Sequence, residues 1–262
     1  MMTPPRTLRP AVFSYAGALT QGGWVRGTVP VGTIALQMDG SSVPIGEAGS
    51  FIVGFDRDAG LSPELTATLA DGSEVVQPLS ITPREWRLEH VNVARRSGGP
   101  SEAFMKIRRP ELARIAAARA RVTSSTGWQQ DFIWPVEGRI SGRFGSQRIY
   151  RGEPGSYHSG IDVAPGAGVP FVAPADGTVV LAAADGFSLE GKLLIVDHGM
   201  GLNSAFLHAQ RLDVQEGDIV RQGQQLGLVG ASGRATGPHL HWSVKWNDAR
   251  LDPILFSGAM SR

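Results

Sequence analysis

The chain has 262 residues and a net charge of +1, from 25 basic and 24 acidic side chains. This even balance gives no reason to expect nucleic acid as a partner, and no apolar run of about 18 residues predicts a membrane span. The absence of cysteine excludes disulfides, thiolate zinc sites and a cysteine nucleophile.

The first half of the chain is predicted to be a small β-sandwich preceded by a short extension. Residues 1–21 form the extension, whose apolar part is too short and interrupted for a convincing signal peptide. Residues 22–98 alternate apolar and polar side chains between turn residues, and about seven short strands of this kind are typical of a sandwich. Its one histidine, His90, is predicted to be structural because a metal site needs several ligands.

Residues 99–129 change in character and are predicted to form a helical linker. The stretch from 101 to 123 is rich in alanine, arginine and glutamate, which are good helix formers. Ser101 is placed to cap the first turn, and Pro110 is expected to end one helix and open another. The basic face of this linker is expected to be solvated.

Residues 130–262 return to short strands punctuated by glycine, so the fold class is mainly β. Five of the six histidines lie in this region, from His158 onward. Histidine is the commonest metal ligand and the usual general base near neutral pH. The clustering therefore predicts a chemical site in this domain.

The segment "HSGID" contains His158 and Asp162, four residues apart. Nearby glycine and proline disfavour a helix, but an even spacing also brings two side chains to one face of an extended segment. They could thus share a metal ion. The alternative is a turn in which Asp162 binds local backbone N–H groups.

In "HLHWSV", Leu240, Trp242 and Val244 alternate with His239, His241 and Ser243, which indicates a strand with one polar face. The two histidines therefore point the same way. Either one binds a metal while the other serves a water or substrate, or both are spare surface residues.

Two further histidines follow strand patterns. In "SAFLHA", alternation would place Phe206 on the face of His208 and Leu207 on the other. His198 ends an apolar strand and is predicted to bond to backbone. His158, Asp162 and one of the paired histidines would supply the three protein ligands that a catalytic zinc requires.

These motifs, in this order, resemble the lysostaphin-type (LytM-like) zinc metallopeptidases, which cut peptidoglycan peptides. The likeness rests on "HSGID", "SAFLHA" and "HLHW", with "WPVEGRISGRFG" and "APADGTVV" around them, and covers residues 130–256. It implies a β-rich domain with one Zn²⁺ in a groove floored by an antiparallel sheet.

The resemblance also implies a role for each matching residue. His158, Asp162 and His241 would bind the zinc ion. His208 and His239 would be the catalytic histidines beside its water. A tyrosine near the groove assists in some members, and although Tyr150 and Tyr157 lie nearby in sequence, neither is assigned to that role.

The function implied is a zinc-dependent endopeptidase that hydrolyses stem peptides or crosslinks of peptidoglycan, and a meso-diaminopimelate crosslink is favoured over a glycine bridge. This function implies a periplasmic or envelope location, although no leader is visible, and leaves room for a regulatory protein partner. One alternative is a silent wall-binding or amidase-activating protein, and another is a peptidase acting on proteins. The sandwich could bind wall or a partner, or cover the groove.

Overall fold

The computed structural model describes residues 12–94 and 99–260, which form two compact units. The first unit ends at Arg84 and the second begins at Glu85. The mainly β fold class expected from the sequence is confirmed. Among the described residues, no helix is both long enough and apolar enough to cross a membrane.

From residue 12 onward, the first unit contains seven strands in two antiparallel sheets, with the orders β1-β2-β5 and β4-β3-β6-β7. Apolar side chains from both sheets, among them Val25, Phe51 and Leu65, are fully buried. The strands are β1 (Ser14–Ala18), β2 (Trp24–Thr28), β3 (Thr33–Met38), β4 (Ser41–Val43), β5 (Ser50–Gly54), β6 (Glu64–Leu69) and β7 (Glu74–Pro78), with a short 3₁₀ turn at Glu47–Gly49.

The expected extension of residues 1–21 is therefore partly a strand. Residues 1–11 lie outside the described residues, but β1 pairs along its length with β2. Its sequence, "SYAGA", has few large apolar residues and so gave little strand signal. Pairing with a buried neighbour nevertheless orders it.

The second unit contains fourteen strands and two helices within its described residues. The strands are β8 (Leu88–Val91), β9 (Arg139–Gly142), β10 (Gln147–Tyr150), β11 (Glu153–Tyr157), β12 (Ile161–Ala164), β13 (Pro170–Val172), β14 (Gly177–Phe187), β15 (Gly191–Gly199), β16 (Leu202–Ala209), β17 (Arg211–Leu212), β18 (Ile219–Val220), β19 (Gln225–Leu228), β20 (Leu240–Trp246) and β21 (Ala249–Leu251). The helices are α1 (Glu102–Arg119) and α2 (Ile254–Ser257), and Gly127–Gln129 forms a 3₁₀ turn.

The main sheet of this unit is antiparallel and has the order β18-β14-β15-β16-β20-β12-β9, with β21 paired to β20. Its central strands β15, β16 and β20 are buried almost along their whole length. Small sheets of three strands flank it, β13-β19-β17 and β11-β10-β8. The central strands thus form a well-packed floor on which a site can be built.

Strand β8 belongs to the second unit, although the stretch predicted as one sandwich ran to residue 98. It pairs in parallel with β10, and the preceding Trp86 packs edge-on against Phe144, with ring centroids 5.7 Å apart. A short strand between turn residues has the same pattern whichever sheet it joins. The sequence therefore could not assign it.

Helix α1 is a single helix, so the prediction that Pro110 separates two helices is wrong. Ser101 does cap it, because its hydroxyl accepts a hydrogen bond from the N–H of Phe104 at 3.2 Å. Pro110 lies inside the helix and cannot donate to the carbonyl four residues earlier. Contacts of the helix with the main sheet on either side of the proline, described below, outweigh that loss.

The expectation that the basic face of this helix is solvated agrees with the exposed Arg109 and Arg114 but is wrong for Arg108. Arg108 is buried and makes a two-pronged ion pair with Glu190, at 2.6 and 2.7 Å, and a further bond to Glu111 at 3.0 Å. Ala118 enters a core cluster formed by β14, β15 and β16. The predicted linker is therefore packed against the main sheet as a part of the second unit.

Candidate metal centre

Three side chains predicted as metal ligands converge at one point of the second unit. Nε2 of His158 lies 3.0 Å from Oδ1 of Asp162 and 3.1 Å from Nδ1 of His241. Nδ1 of His241 lies 2.8 Å from the same carboxylate oxygen. Among the described residues, these three form a group able to hold a metal ion.

Strand pairing explains how residues 79 positions apart meet. Asp162 on β12 stands directly opposite His241 on β20, in an antiparallel register that Ile161 and Trp242 continue. Directly opposed side chains have Cβ atoms about 5 Å apart on the same face of a sheet. His158 precedes β12 and completes the group from the loop.

Two glycines leave the space that these side chains occupy. A Cβ on Gly160 would lie 2.8 Å from Nε2 of His241, and one on Gly142 would lie 2.3 Å from Oδ2 of Asp162. Both distances are below van der Waals contact. Any other residue at either position would push a ligand out of the group.

The proton on His158 is placed by the backbone. Its Nδ1 lies 3.1 Å from the carbonyl oxygen of Arg143, which can only accept a hydrogen bond. Nδ1 therefore carries a proton, and Nε2 is the nitrogen that faces the other two ligands. A backbone carbonyl in this position is the usual way to orient a metal-binding imidazole.

Burial and neighbouring charges shift the pKa values of the three ligands in different directions. Burial would raise the pKa of Asp162, but the hydrogen bonds from His158 and His241 hold it well below its usual range. Burial likewise opposes the charged form of His158, yet the bond to Asp162 outweighs it and raises its pKa. Burial lowers the pKa of His241. Asp162 is thus ionised at neutral pH.

These donors fit zinc. One carboxylate and two imidazoles form a three-ligand set of the kind found in catalytic zinc sites. A tetrahedral ion about 2.0–2.1 Å from each ligand separates the ligand atoms by about 3.3 Å. The separations here, 2.8, 3.0 and 3.1 Å, need to open by only a few tenths of an ångström.

His239 and His208 lie beside the three ligands. Nε2 of His239 is 3.8 Å from Oδ1 of Asp162, so both histidines of "HLH" face the carboxylate. The ring centroids of His208 and His239 are 4.8 Å apart, and those of His208 and His241 are 6.5 Å apart. All five residues singled out in the sequence therefore share one cluster.

The backbone also fixes the protonation of these two rings. Nδ1 of His208 bonds to the carbonyl of Ser232 at 2.9 Å, and Nδ1 of His239 bonds to the carbonyl of Gly237 at 2.8 Å. Each neutral ring therefore keeps its Nε2 lone pair for another partner. Burial lowers the pKa of His208, which favours that neutral form. Both rings are able to accept a proton.

His208 reaches this position through an irregularity in β16. Its φ of 66° lies in the left-handed region, which is rare for any residue but glycine. The register of β16 with β15 shifts here, as in a β-bulge. As a result Phe206 stacks on Phe171 with ring centroids 5.5 Å apart, away from His208, whereas regular alternation placed Phe206 beside it.

The other candidates lie outside the cluster. His198 is fully buried and bonds to the carbonyl of Asp176 at 2.8 Å and to the hydroxyl of Ser204 at 2.9 Å, so the prediction of a backbone bond is confirmed. His90 is exposed on β8. Tyr157 receives a hydrogen bond from Arg250 at 3.3 Å, and Tyr150 belongs to β10.

Sequence reasoning missed the residues that support the site. Gly142 and Gly160 make room for the ligands, and Ser232 and Glu190 hold His208 through their carbonyls. Only Gly160 had a visible signal, its position inside "HSGID". Carbonyl contacts depend on backbone course rather than on residue type, so no residue pattern marks them.

The profile of Peptidase family M23 matches residues 156–253. A solved structure from Pseudomonas aeruginosa, described as a peptidase M23, is 31% identical, with a TM-score of 0.70 over 93% of this chain and 96% of that one.

Curated relatives match part of the chain. Peptidoglycan DD-endopeptidase ShyB of Vibrio cholerae is 36% identical over 97 residues, which are 37% of this chain and 22% of that protein. Lipoprotein NlpD/LppB homolog of Pseudomonas aeruginosa is 35% identical over 130 residues, which are 50% of this chain and 39% of that protein. The chain thus spans well under half the length of either relative.

Proposed function

Because the chain belongs to peptidase family M23, we propose that it is a zinc-dependent endopeptidase that hydrolyses peptide bonds in peptidoglycan. The observation that carries this proposal is the cluster of His158, Asp162 and His241 with two more histidines beside it. A metal ion with a purely structural role would not need the additional imidazole rings of His208 and His239. The name of the relative ShyB, a peptidoglycan DD-endopeptidase, supports the substrate.

His158, Asp162 and His241 would hold the metal, through Nε2, Oδ1 and Nδ1 respectively. A zinc ion bound there supplies a nucleophilic water of lowered pKa and polarises the scissile carbonyl. One carboxylate among the ligands leaves the site a net charge of about +1, which still attracts electrons from that carbonyl.

His239 and His208 would handle the proton and the developing charge. Each has its Nδ1 tied to a carbonyl and its Nε2 lone pair directed elsewhere, so either ring can act as the general base. Once protonated, a ring donates a hydrogen bond and can stabilise the oxyanion of the tetrahedral intermediate. Two histidines so close together allow the two tasks to be divided between them.

We propose that the bond cut is a DD crosslink between stem peptides rather than a glycine bridge. This substrate implies that the protein acts in the cell envelope. The name of ShyB describes a DD-endopeptidase. The side chains of His158 and Asp162 keep 25% and 20% of their surface exposed, so the metal-binding group can be reached from outside, as a peptide substrate requires.

The test separates chemistry from metal binding. We expect His208→Ala and His239→Ala to lower kcat on crosslinked muropeptides by about 10²–10⁴-fold, the usual contribution of a general acid or base, while one zinc per chain remains. Asp162→Ala should lose both zinc and activity. Zinc content is measured by atomic absorption and cleavage by the release of new amino termini.

His90→Ala is the matched control, since His90 is an exposed histidine of the same unit and should retain full activity. Wild-type rates in the His208 or His239 variants would overturn the assignment of their roles. Zinc-free, inactive wild-type protein would instead favour a wall-binding or amidase-activating role. Cleavage of casein in preference to muropeptides would favour a general peptidase.

A further inference from the structure

The turn between β14 and β15, residues 188–190, is held by helix α1. Arg108 donates two hydrogen bonds to the carboxylate of Glu190, at 2.6 and 2.7 Å. Glu111 accepts hydrogen bonds from the N–H and the hydroxyl of Ser188, both at 2.6 Å. The side chains of Arg108, Glu111 and Glu190 keep only 9%, 11% and 15% of their surface exposed. A two-pronged ion pair with so little exposure fixes the geometry of the turn as well as its charge.

The backbone of this turn in its turn holds His208. The carbonyl of Glu190 accepts a hydrogen bond from the N–H of His208 at 2.9 Å. The carbonyl of Leu189 accepts one from the N–H of Arg234, also at 2.9 Å, and so fixes the loop that contains Ser232. The carbonyl of Ser232 accepts a hydrogen bond from Nδ1 of His208 at 2.9 Å. The N–H and the ring of His208 are therefore tied to the turn and to a loop bonded to it.

The loop containing Ser232 packs tightly against the start of β15. The hydroxyl of Ser232 accepts a hydrogen bond from the N–H of Lys192 and donates one to the carbonyl of Ala209, both at 2.8 Å. A Cβ added at Gly191 would lie 2.3 Å from the carbonyl carbon of Ser232. Because no space separates the two segments, a displacement of the turn is passed on to Ser232.

The β14–β15 hairpin fixes its own turn only loosely. The register of the two strands shifts between Ala183 and Phe187, and Gly186 and Gly191 have φ values of 83° and 63°. Glycine leaves the backbone at such positions freer than any other residue would. His208 has a φ of 66°, which a residue other than glycine keeps only when its surroundings hold it there. The contacts from α1 add a constraint that the hairpin lacks.

We propose that Arg108 is a positioning residue, which holds His208 in place for proton transfer by acting through Glu190. The proposal rests on the proposed function, in which His208 is one of the two histidines that handle the proton. The profile of the family matches residues 156–253, so α1 supports the site from outside the matched region. A misplacement of about 1 Å can lower a rate about a hundredfold. A loosened turn should therefore lower kcat while substrate and metal still bind.

The first measurement is a double-mutant cycle on kcat. Arg108→Met should lower kcat on crosslinked muropeptides about tenfold per zinc-loaded molecule and change KM by less than about twofold. In the His208→Ala background the same substitution should lower kcat by less than about twofold, because the group that it positions is already absent. Arg108→Lys keeps the charge without the paired bonds and should lie between wild type and Arg108→Met. Arg109→Gln is the matched control, because Arg109 is exposed on the same helix and paired with Glu102.

The second measurement does not depend on activity. The amide resonance of His208 in an NMR spectrum reports the hydrogen bond from its N–H to the carbonyl of Glu190. Arg108→Met should shift this resonance, and Arg109→Gln should leave it in place. A change in stability alone does not move the resonance of molecules that remain folded. Zinc content and circular dichroism show that each variant is loaded and folded, and Arg108→Lys carries both measurements if Arg108→Met does not fold.

A kcat within about twofold of wild type in folded, zinc-loaded Arg108→Met would overturn the proposal, and so would an equal loss of kcat in both backgrounds or an unmoved His208 resonance. Failure of the proposed function has a different signature. If wild-type protein does not cleave muropeptides, or if His208→Ala cleaves them at the wild-type rate, the assigned chemistry is wrong. The His208 resonance still decides in either case whether Arg108 holds that residue.

Discussion

His198 shows how the environment of one buried residue makes stability depend on pH. It is fully buried, with its ring 4.8 Å from that of Phe132 and both nitrogens bonded. Burial lowers its pKa to about 4 from an ordinary 6.5. Below pH 6.5 His198 therefore binds a proton in the unfolded chain but stays neutral in the folded chain until the pH approaches 4. The contribution of neutral His198 to the stability of the folded state is complete above pH 6.5 and is lost as the pH falls towards 4.

We expect this residue to remove about 3 kcal/mol from the free energy of unfolding between pH 7.5 and pH 4. Urea unfolding of wild type and His198→Gln across this range measures the effect as the difference between the two curves. A chelator in all samples keeps metal release out of the comparison. Parallel pH dependence in the two proteins would show that His198 does not titrate as its burial requires.

The chemically active residues could be predicted from the sequence because their types are rare and their order is distinctive. Histidines at 158, 208, 239 and 241 meet Asp162 in the structure as the motifs indicated. Gly142, unlike Gly160 inside the metal-binding motif, could not be recognised in the same way among 34 glycines. Their importance depends on which side chain approaches them, and that requires the fold.

Alternation along a strand predicts the face of a side chain only where the pairing of that strand is regular. On β20 the register with β12 and β16 has no shift, so His241 and Ser243 share a face as predicted. On β16 the bulge at His208 breaks the alternation. Local sequence carries no signal for that bulge, because it is formed by the tertiary contacts that hold His208.

Helix α1 shows tertiary contacts outweighing a local signal. Pro110 favours a break, yet Arg108 and Glu111 tie the helix to the β14–β15 connection on either side of it. Glu111 accepts hydrogen bonds from the N–H and hydroxyl of Ser188, both at 2.6 Å, and Arg108 binds Glu190. These partners are about 80 residues away in sequence, so no helix pattern could reveal them.

We expect Arg108→Met to lower the free energy of unfolding by about 3 kcal/mol, because it leaves the carboxylates of Glu111 and Glu190 buried without their cation. Arg109→Gln, on the exposed side of the same helix, should change it by less than about 1 kcal/mol. Urea unfolding measures both. A loss below about 1 kcal/mol for Arg108→Met would mean that the ion pair does not hold the helix on the sheet.

At the scale of the whole molecule, the boundary between the two units lies earlier in the chain than the sequence indicated. The sequence suggested a boundary near residue 98, but β8 and Trp86 are integral to the second unit. Without them the edge of β10 loses its parallel partner, and the ring of Phe144 loses an aromatic neighbour. We therefore expect the minimal folded unit that contains the metal-binding cluster to start at Glu85.

We accordingly expect a fragment of residues 85–262 to unfold in one cooperative transition and to bind one zinc ion, and a fragment of residues 99–262 to be less stable by at least ~2 kcal/mol. The loss follows from removing the half-buried indole of Trp86 together with the β8 pairing. Urea midpoints of the two fragments measure it, and Trp86→Ala in the longer fragment separates the contribution of the indole from that of the strand. Equal midpoints for the two fragments would show that β8 adds nothing to the second unit and that residue 98 is the better boundary.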